Sequence, residues 1–93
     1  MSKYKLDFTN AFSKDLKKAK KRGYNIKLMN TVVTKLQNGK PLEAKFKDHQ
    51  LTGNWTNYRE CHIQPDWLLI YRIYENELLL VLTRTGSHSD LKF

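Results

Sequence analysis

A chain of 93 residues that is 40% apolar, 12% aromatic and 28% charged is sized for one domain with a modest core, which excludes a disordered tail, a collagen-like repeat or a linker. Its longest unbroken apolar runs, residues 67–71 and 78–82, fall far short of the ~20 residues that cross a bilayer, and Lys3 and Lys5 are not followed by the apolar stretch of a signal peptide. The net charge of +8 is lopsided: thirteen basic against three acidic side chains in residues 1–47, four against six in residues 48–93, with His49, His62 and His88 all in the second half.

Residues 3–9 alternate, with Tyr4, Leu6 and Phe8 on one side, and predict a strand. Asn10 is the expected N-cap of a helix reaching about Arg22, with Gly23 as its C′ residue. Phe12, Leu16 and Ala19 form its apolar stripe, while Lys14, Lys17, Lys18 and Lys21 coat the other side. A second helix begins at Asn25, carries Ile26, Met29, Val32, Val33 and Leu36 on one face, and stops at Gly39 and Pro41. So short a link makes the two an antiparallel hairpin. Residues 42–53 read as a loop bearing Lys45, Lys47 and His49. Strands follow near 55–63, 67–74 and 77–84, with tight turns at Gln64-Pro65 and Glu75-Asn76, and residues 86–91 close the chain as a short turn. The pattern β-α-α-β-β-β over residues 1–93 predicts an α+β domain: a small four-stranded, mainly antiparallel sheet with the helical hairpin on one face. The first strand is expected to join that sheet parallel to the last.

The two turns also predict a register. Two-residue loops at Gln64-Pro65 and Glu75-Asn76 set His62 opposite Trp67, and Trp67 opposite Arg84. Directly opposed residues project from one face, so His62, Trp67 and Arg84 are expected to form a row across three strands. His88 lies close enough in sequence to fold back towards it, and Asp66 begins the middle strand at the same end. A slip of one residue in either turn would reverse a partner's face.

Such a row has a chemical use, and the basic first half supplies a grip for a polyanion, RNA before an acidic protein. RNA is cut without metal or cofactor when a base takes the 2′-OH proton and the freed oxygen attacks the neighbouring phosphorus. An acid must protonate the departing 5′-oxygen, and a cation must steady the charge that builds up. Histidine suits both proton transfers, with an unperturbed pKa near ~6.5, and arginine suits the third task. A tryptophan can stack on a base, and an aspartate can orient a histidine. Each residue has a plainer use as well: Trp67 as a core anchor, Arg84 as the point where a strand meets water, the lysines as a solvated face. Cys61, the lone cysteine, permits no internal disulfide, fits a reduced cytoplasmic protein, and reads as a small buried apolar residue rather than a nucleophile. Three scattered histidines lack the paired spacing of a zinc site, so no metal is expected.

Three stretches carry a family likeness: Phe46-Lys47-Asp48-His49-Gln50-Leu51-Thr52-Gly53, then Tyr58-Arg59-Glu60-Cys61-His62-Ile63-Gln64-Pro65-Asp66-Trp67-Leu68-Leu69-Ile70-Tyr71, then Leu82-Thr83-Arg84-Thr85-Gly86-Ser87-His88-Ser89-Asp90-Leu91. Together they resemble the RelE/ParE superfamily of bacterial toxins, especially its YafQ-type ribonucleases, along essentially the whole chain. The resemblance implies a twisted antiparallel sheet backed by two helices, and an endoribonuclease that cuts messenger RNA on the translating ribosome. It implies that His49, His62, Asp66, Trp67, Arg84 and His88 line the active site, and that a cognate antitoxin wraps and silences the toxin. Lys14, Lys17, Lys18 and Lys21, with Lys45 and Lys47, are expected to grip RNA outside the chemistry. An aromatic residue near the C-terminus often serves such sites, but Leu91, Lys92 and Phe93 blur that position. Two rival readings are a toxin of the same fold that binds a protein such as DNA gyrase, and a non-catalytic RNA-binding module in which Trp67 and Tyr71 stack on bases.

Overall fold

In the computed structural model, which describes residues 2–91, the first alternating segment forms β1 (Lys5–Phe8). Helix α1 (Asn10–Lys21) follows at once, capped by Thr9 rather than Asn10. The Thr9 backbone is still extended, so its Oγ1 can accept from Phe12 N at 2.9 Å while donating to Thr83 O at 2.7 Å. One hydroxyl thus starts the helix and ties its first turn to the last strand. Gly23 takes φ +80° just beyond the helix, a left-handed turn that costs glycine little. Asn25 caps α2 (Ile26–Gln37) by accepting from Lys27 N at 3.1 Å.

The sheet has five strands, completed by β2 (His49–Gln50), β3 (Arg59–Gln64), β4 (Trp67–Tyr74) and β5 (Leu79–Gly86). Their spatial order is β1-β5-β4-β3-β2, with β1 parallel to β5 and the other pairs antiparallel. The expected parallel pairing of first and last strands is present. The expected count of four is corrected to five, because β2 is two exposed polar residues with no alternation to betray it.

Alternation sorts the sheet's side chains between two faces. Cys61, Ile63, Trp67, Leu69, Tyr71, Leu80 and Leu82 join Phe12, Met29, Val32, Val33 and Leu36 in the main core beneath the helices. Each large side chain fully buried there contributes roughly 1.5–3 kcal/mol. A smaller cluster of Leu68, Ile70 and Leu91, with Leu51 and Tyr58 against it, occupies the opposite face.

The predicted register does not hold. The first turn is Pro65-Asp66, since Gln64 pairs with Trp67, and a bulge then sets His62 opposite Leu68. The second turn holds four residues, three of them a 3-10 turn (Glu75–Glu77) and the fourth Leu78 with φ +49°. A further bulge between Ile70 and Tyr71 sets Arg84 opposite Ile70. The row of His62, Trp67 and Arg84 therefore does not exist. No described helix is long and apolar enough to cross a membrane.

Candidate active site

On β3 the inward residues Cys61 and Ile63 leave Glu60 and His62 to the face away from the helices. His49 on β2 pairs with Glu60, so the carboxylate stands between two imidazoles. Glu60 Oε1 is 3.5 Å from His49 Nε2 and 3.8 Å from His62 Nε2. Glu60 escaped the sequence reading, although its place two residues before His62 on a strand signals a shared face. His49 Nδ1 lies 2.7 Å from Lys47 O. A carbonyl oxygen only accepts, so Nδ1 carries the hydrogen in this contact, and Nε2 is the nitrogen nearer Glu60.

His88 sits in the turn after β5, and Asp66 holds it twice: Asp66 Oδ1 accepts from His88 N at 2.9 Å and from His88 Nδ1 at 2.6 Å. The same logic puts the hydrogen of His88 on Nδ1 and leaves Nε2 as a proton acceptor. Those two donors hold the Asp66 carboxyl below the usual carboxylate range. The His62 and His88 rings are 5.5 Å apart between centroids and meet edge-on at 64°. They share a cleft of about 640 Å³ whose lining also includes Leu28, Lys45, Phe46 and Lys47.

The other predicted residues lie elsewhere. Trp67 is 1% exposed, donates from Nε1 to Thr85 Oγ1 at 2.9 Å, and meets the Tyr24 ring edge-on. It has no face to offer a base and serves as the core anchor. Tyr71 is buried as well, and its hydroxyl donates to Asp48, so the picture of Trp67 and Tyr71 stacking on RNA is corrected too. Arg84 donates to Asp15 of α1 from Nε at 2.7 Å and from Nη2 at 3.2 Å, which raises its pKa further. It lines a separate hollow of about 50 Å³ together with Lys18, Arg22 and Asp90. Lys18 reaches Asp90 at 3.2 Å, while Lys14, Lys17 and Lys21 are exposed. Burial pushes the Cys61 thiol up to about 12, as suits a core residue. Among the described residues, no group of three or more His, Cys, Asp or Glu is placed to hold a metal ion. Phe93 lies outside the described residues.

Residues 4–93 match a family model described as the bacterial toxin of the type II toxin–antitoxin system, YafQ. The mRNA interferase toxin YafQ of Escherichia coli K12 is 40% identical over 87 residues, 92% of either chain. The toxin in the crystal structure of the E. coli DinJ-YafQ toxin-antitoxin complex superposes with a TM-score of 0.88 at 38% identity, over 98% of this chain and 99% of that one. A metal-bound toxin from Helicobacter pylori gives 0.89 at 44% identity, over 95% and 98%.

Proposed function

The chain belongs to the YafQ family of type II toxin–antitoxin toxins, and from that premise we propose how its histidine cleft cuts messenger RNA. It is an mRNA interferase, an endoribonuclease. In our reading the scissile phosphate enters the cleft lined by His62 and His88 and lies across the edges of both rings. His88, with Nδ1–H spent on Asp66, takes the 2′-OH proton at Nε2, and the 2′-oxygen attacks phosphorus. His62, beside it, delivers a proton to the departing 5′-oxygen, leaving a 2′,3′-cyclic phosphate. Glu60 steadies His62 on one side and His49 on the other. Lys45 and Lys47 border the cleft and hold phosphate, and Arg84 joins the transition state when its ion pair with Asp15 opens. The positioned nitrogens supply all the proton transfers, so cleavage proceeds without a metal ion. A cognate antitoxin silences this chain in the way DinJ accompanies its relative, and the substrate is messenger RNA on a translating ribosome.

The observation that carries this reading is the pair of imidazoles set edge-on at 5.5 Å on one cleft, one of them fixed by a carboxylate. The test is to map RNA ends after adding purified toxin to translating ribosomes. A parallel reaction uses isolated transcript with EDTA. New internal ends bearing cyclic phosphate are expected, their yield on transcript unchanged by the chelator. Ends that vanish with EDTA and return with a divalent ion would overturn the metal-free chemistry.

A further inference from the structure

Trp67 is buried and offers no face to a base, and one wall of the proposed cleft presents another ring among the described residues. We propose that Phe46 and Leu28 bind the nucleobase beside the scissile phosphate, a subsite that rests on the RNA-cleaving reading above. Phe46 ends the 3-10 turn Ala44–Phe46 and is half-buried, packed against the main core yet lining the cleft that holds His62 and His88. Lys47 then takes φ +48°, and Lys45, Phe46 and Lys47 all border the same space. The Lys45 ammonium stands 5.2 Å from the centre of the Phe46 ring. Leu28 of α2 is 37% exposed, an apolar side chain left outside both clusters but lining this cleft.

The occupant follows from this company. An aromatic ring between two lysines fits a group that is flat and apolar in one part and anionic in another, which describes a nucleotide of single-stranded RNA. A phosphate held against the two imidazoles would have its own base within reach of this wall, because both line one cleft. The volume of about 640 Å³ falls within the usual range for sites that enclose a small organic group. Gln64, exposed at the same cleft, offers an amide donor and acceptor to a base edge.

The test uses fluorescein-labelled 2′-O-methyl RNA hexamers, which cannot be cut because the attacking hydroxyl is blocked, and reads anisotropy. Phe46→Leu, which keeps bulk but loses the ring, is expected to weaken binding about tenfold, and Phe46→Tyr to stay within about twofold. An abasic nucleotide moved along the hexamer should cost the wild type about the same factor at one position. There it should cost Phe46→Leu almost nothing, since ring and base then fail as a unit. Leu28→Ser, an exposed change that spares the core, should weaken binding about threefold. Wild-type affinity in Phe46→Leu, abasic losses that multiply with it at every position, or no hexamer binding by wild type would each overturn the subsite. Cut ends on messenger RNA alongside Phe46-independent binding would sink this inference alone. Phe46-dependent binding without any cut ends would instead sink the catalytic reading.

Discussion

The histidine cleft and the hollow beside α1 draw on neighbouring stretches of chain but dispose of their charges differently. In the hollow every charge is matched. Asp90 accepts from Arg22 at 2.6 and 3.2 Å, from Lys18 at 3.2 Å and from Ser87 N at 3.0 Å, and Asp15 takes two nitrogens of Arg84 and the amide of Thr85. In the cleft His88 is paired with Asp66 at 2.6 Å, but His62 has a carboxylate only at 3.8 Å, beyond hydrogen-bonding distance. Among the described residues Lys45 and Lys47 make no ion pair with a carboxylate. Matched charges hold elements together, whereas the two unpaired lysines, His62 and the second ring nitrogen of His88 keep the capacity to bind and to move protons. The two regions therefore read as a joint and a workplace.

The largest expected effect falls in the cleft. His88→Ala should slow the appearance of cut ends at least ~100-fold while leaving the circular dichroism spectrum intact, because the side chain is exposed. A loss of only two- or threefold would remove His88 from the chemistry and erase the contrast. Arg84 tests the boundary between the regions. Arg84→Ala should also cost about 100-fold, and Asp15→Asn, which frees the guanidinium, should leave the rate equal or higher. Equal rate losses with equal drops in Tm would make Arg84 part of the joint. Glu60→Gln should lower the rate about tenfold, with little change in melting.

In the hollow the effects are on stability. The hydrogen bonds from Arg22 hold the Asp90 carboxyl well below the usual carboxylate range in the folded chain. Its stabilisation is thus complete above the unfolded value near ~3.9 and is lost as pH falls through the lower folded value. Asp90→Asn should lower Tm by roughly 4 °C at neutral pH, and the gap from wild type should close in strong acid. A gap that stays constant into strong acid would show that the carboxylate is not the source. The smallest effect belongs to the exposed lysines of α1. Replacing Lys14, Lys17 and Lys21 with Gln should weaken RNA binding a few-fold and flatten its salt dependence, measured by anisotropy at several salt concentrations.

The fold was legible wherever one residue type dominates the local energetics. The stripes on α1 and α2, the glycine after α1 and the apolar run of β4 each announced themselves, and the parallel place of β1 followed from topology. The register was not legible, because loop length and bulges are settled by packing between strands. Leu78 in a left-handed conformation and the bulge between Ile70 and Tyr71 together moved Arg84 out of the expected row. The gathering of His62, His88 and Asp66 appeared nonetheless, since it depends on the turn after β5 folding back over the β3–β4 turn. Gly86 permits that fold with φ +158°, where a Cβ would stand 2.9 Å from Asp90 Cβ. Glu60 was readable from alternation and missed. The half-buried Phe46 was not readable, since nothing local distinguishes it from a loop aromatic.

The position of β5 has a bearing on biosynthesis. It lies between β1 and β4 in space yet follows the other described strands in the chain, so β1 has no strand beside it until β5 has been translated. A nascent polypeptide stalled before Leu79 can form the helices and the β3–β4 hairpin, but it also lacks His88. We expect such stalled chains to remain protease-sensitive around β1 and harmless to the transcript that encodes them. The chain order would then tie toxicity to the emergence of β5 and the turn that carries His88.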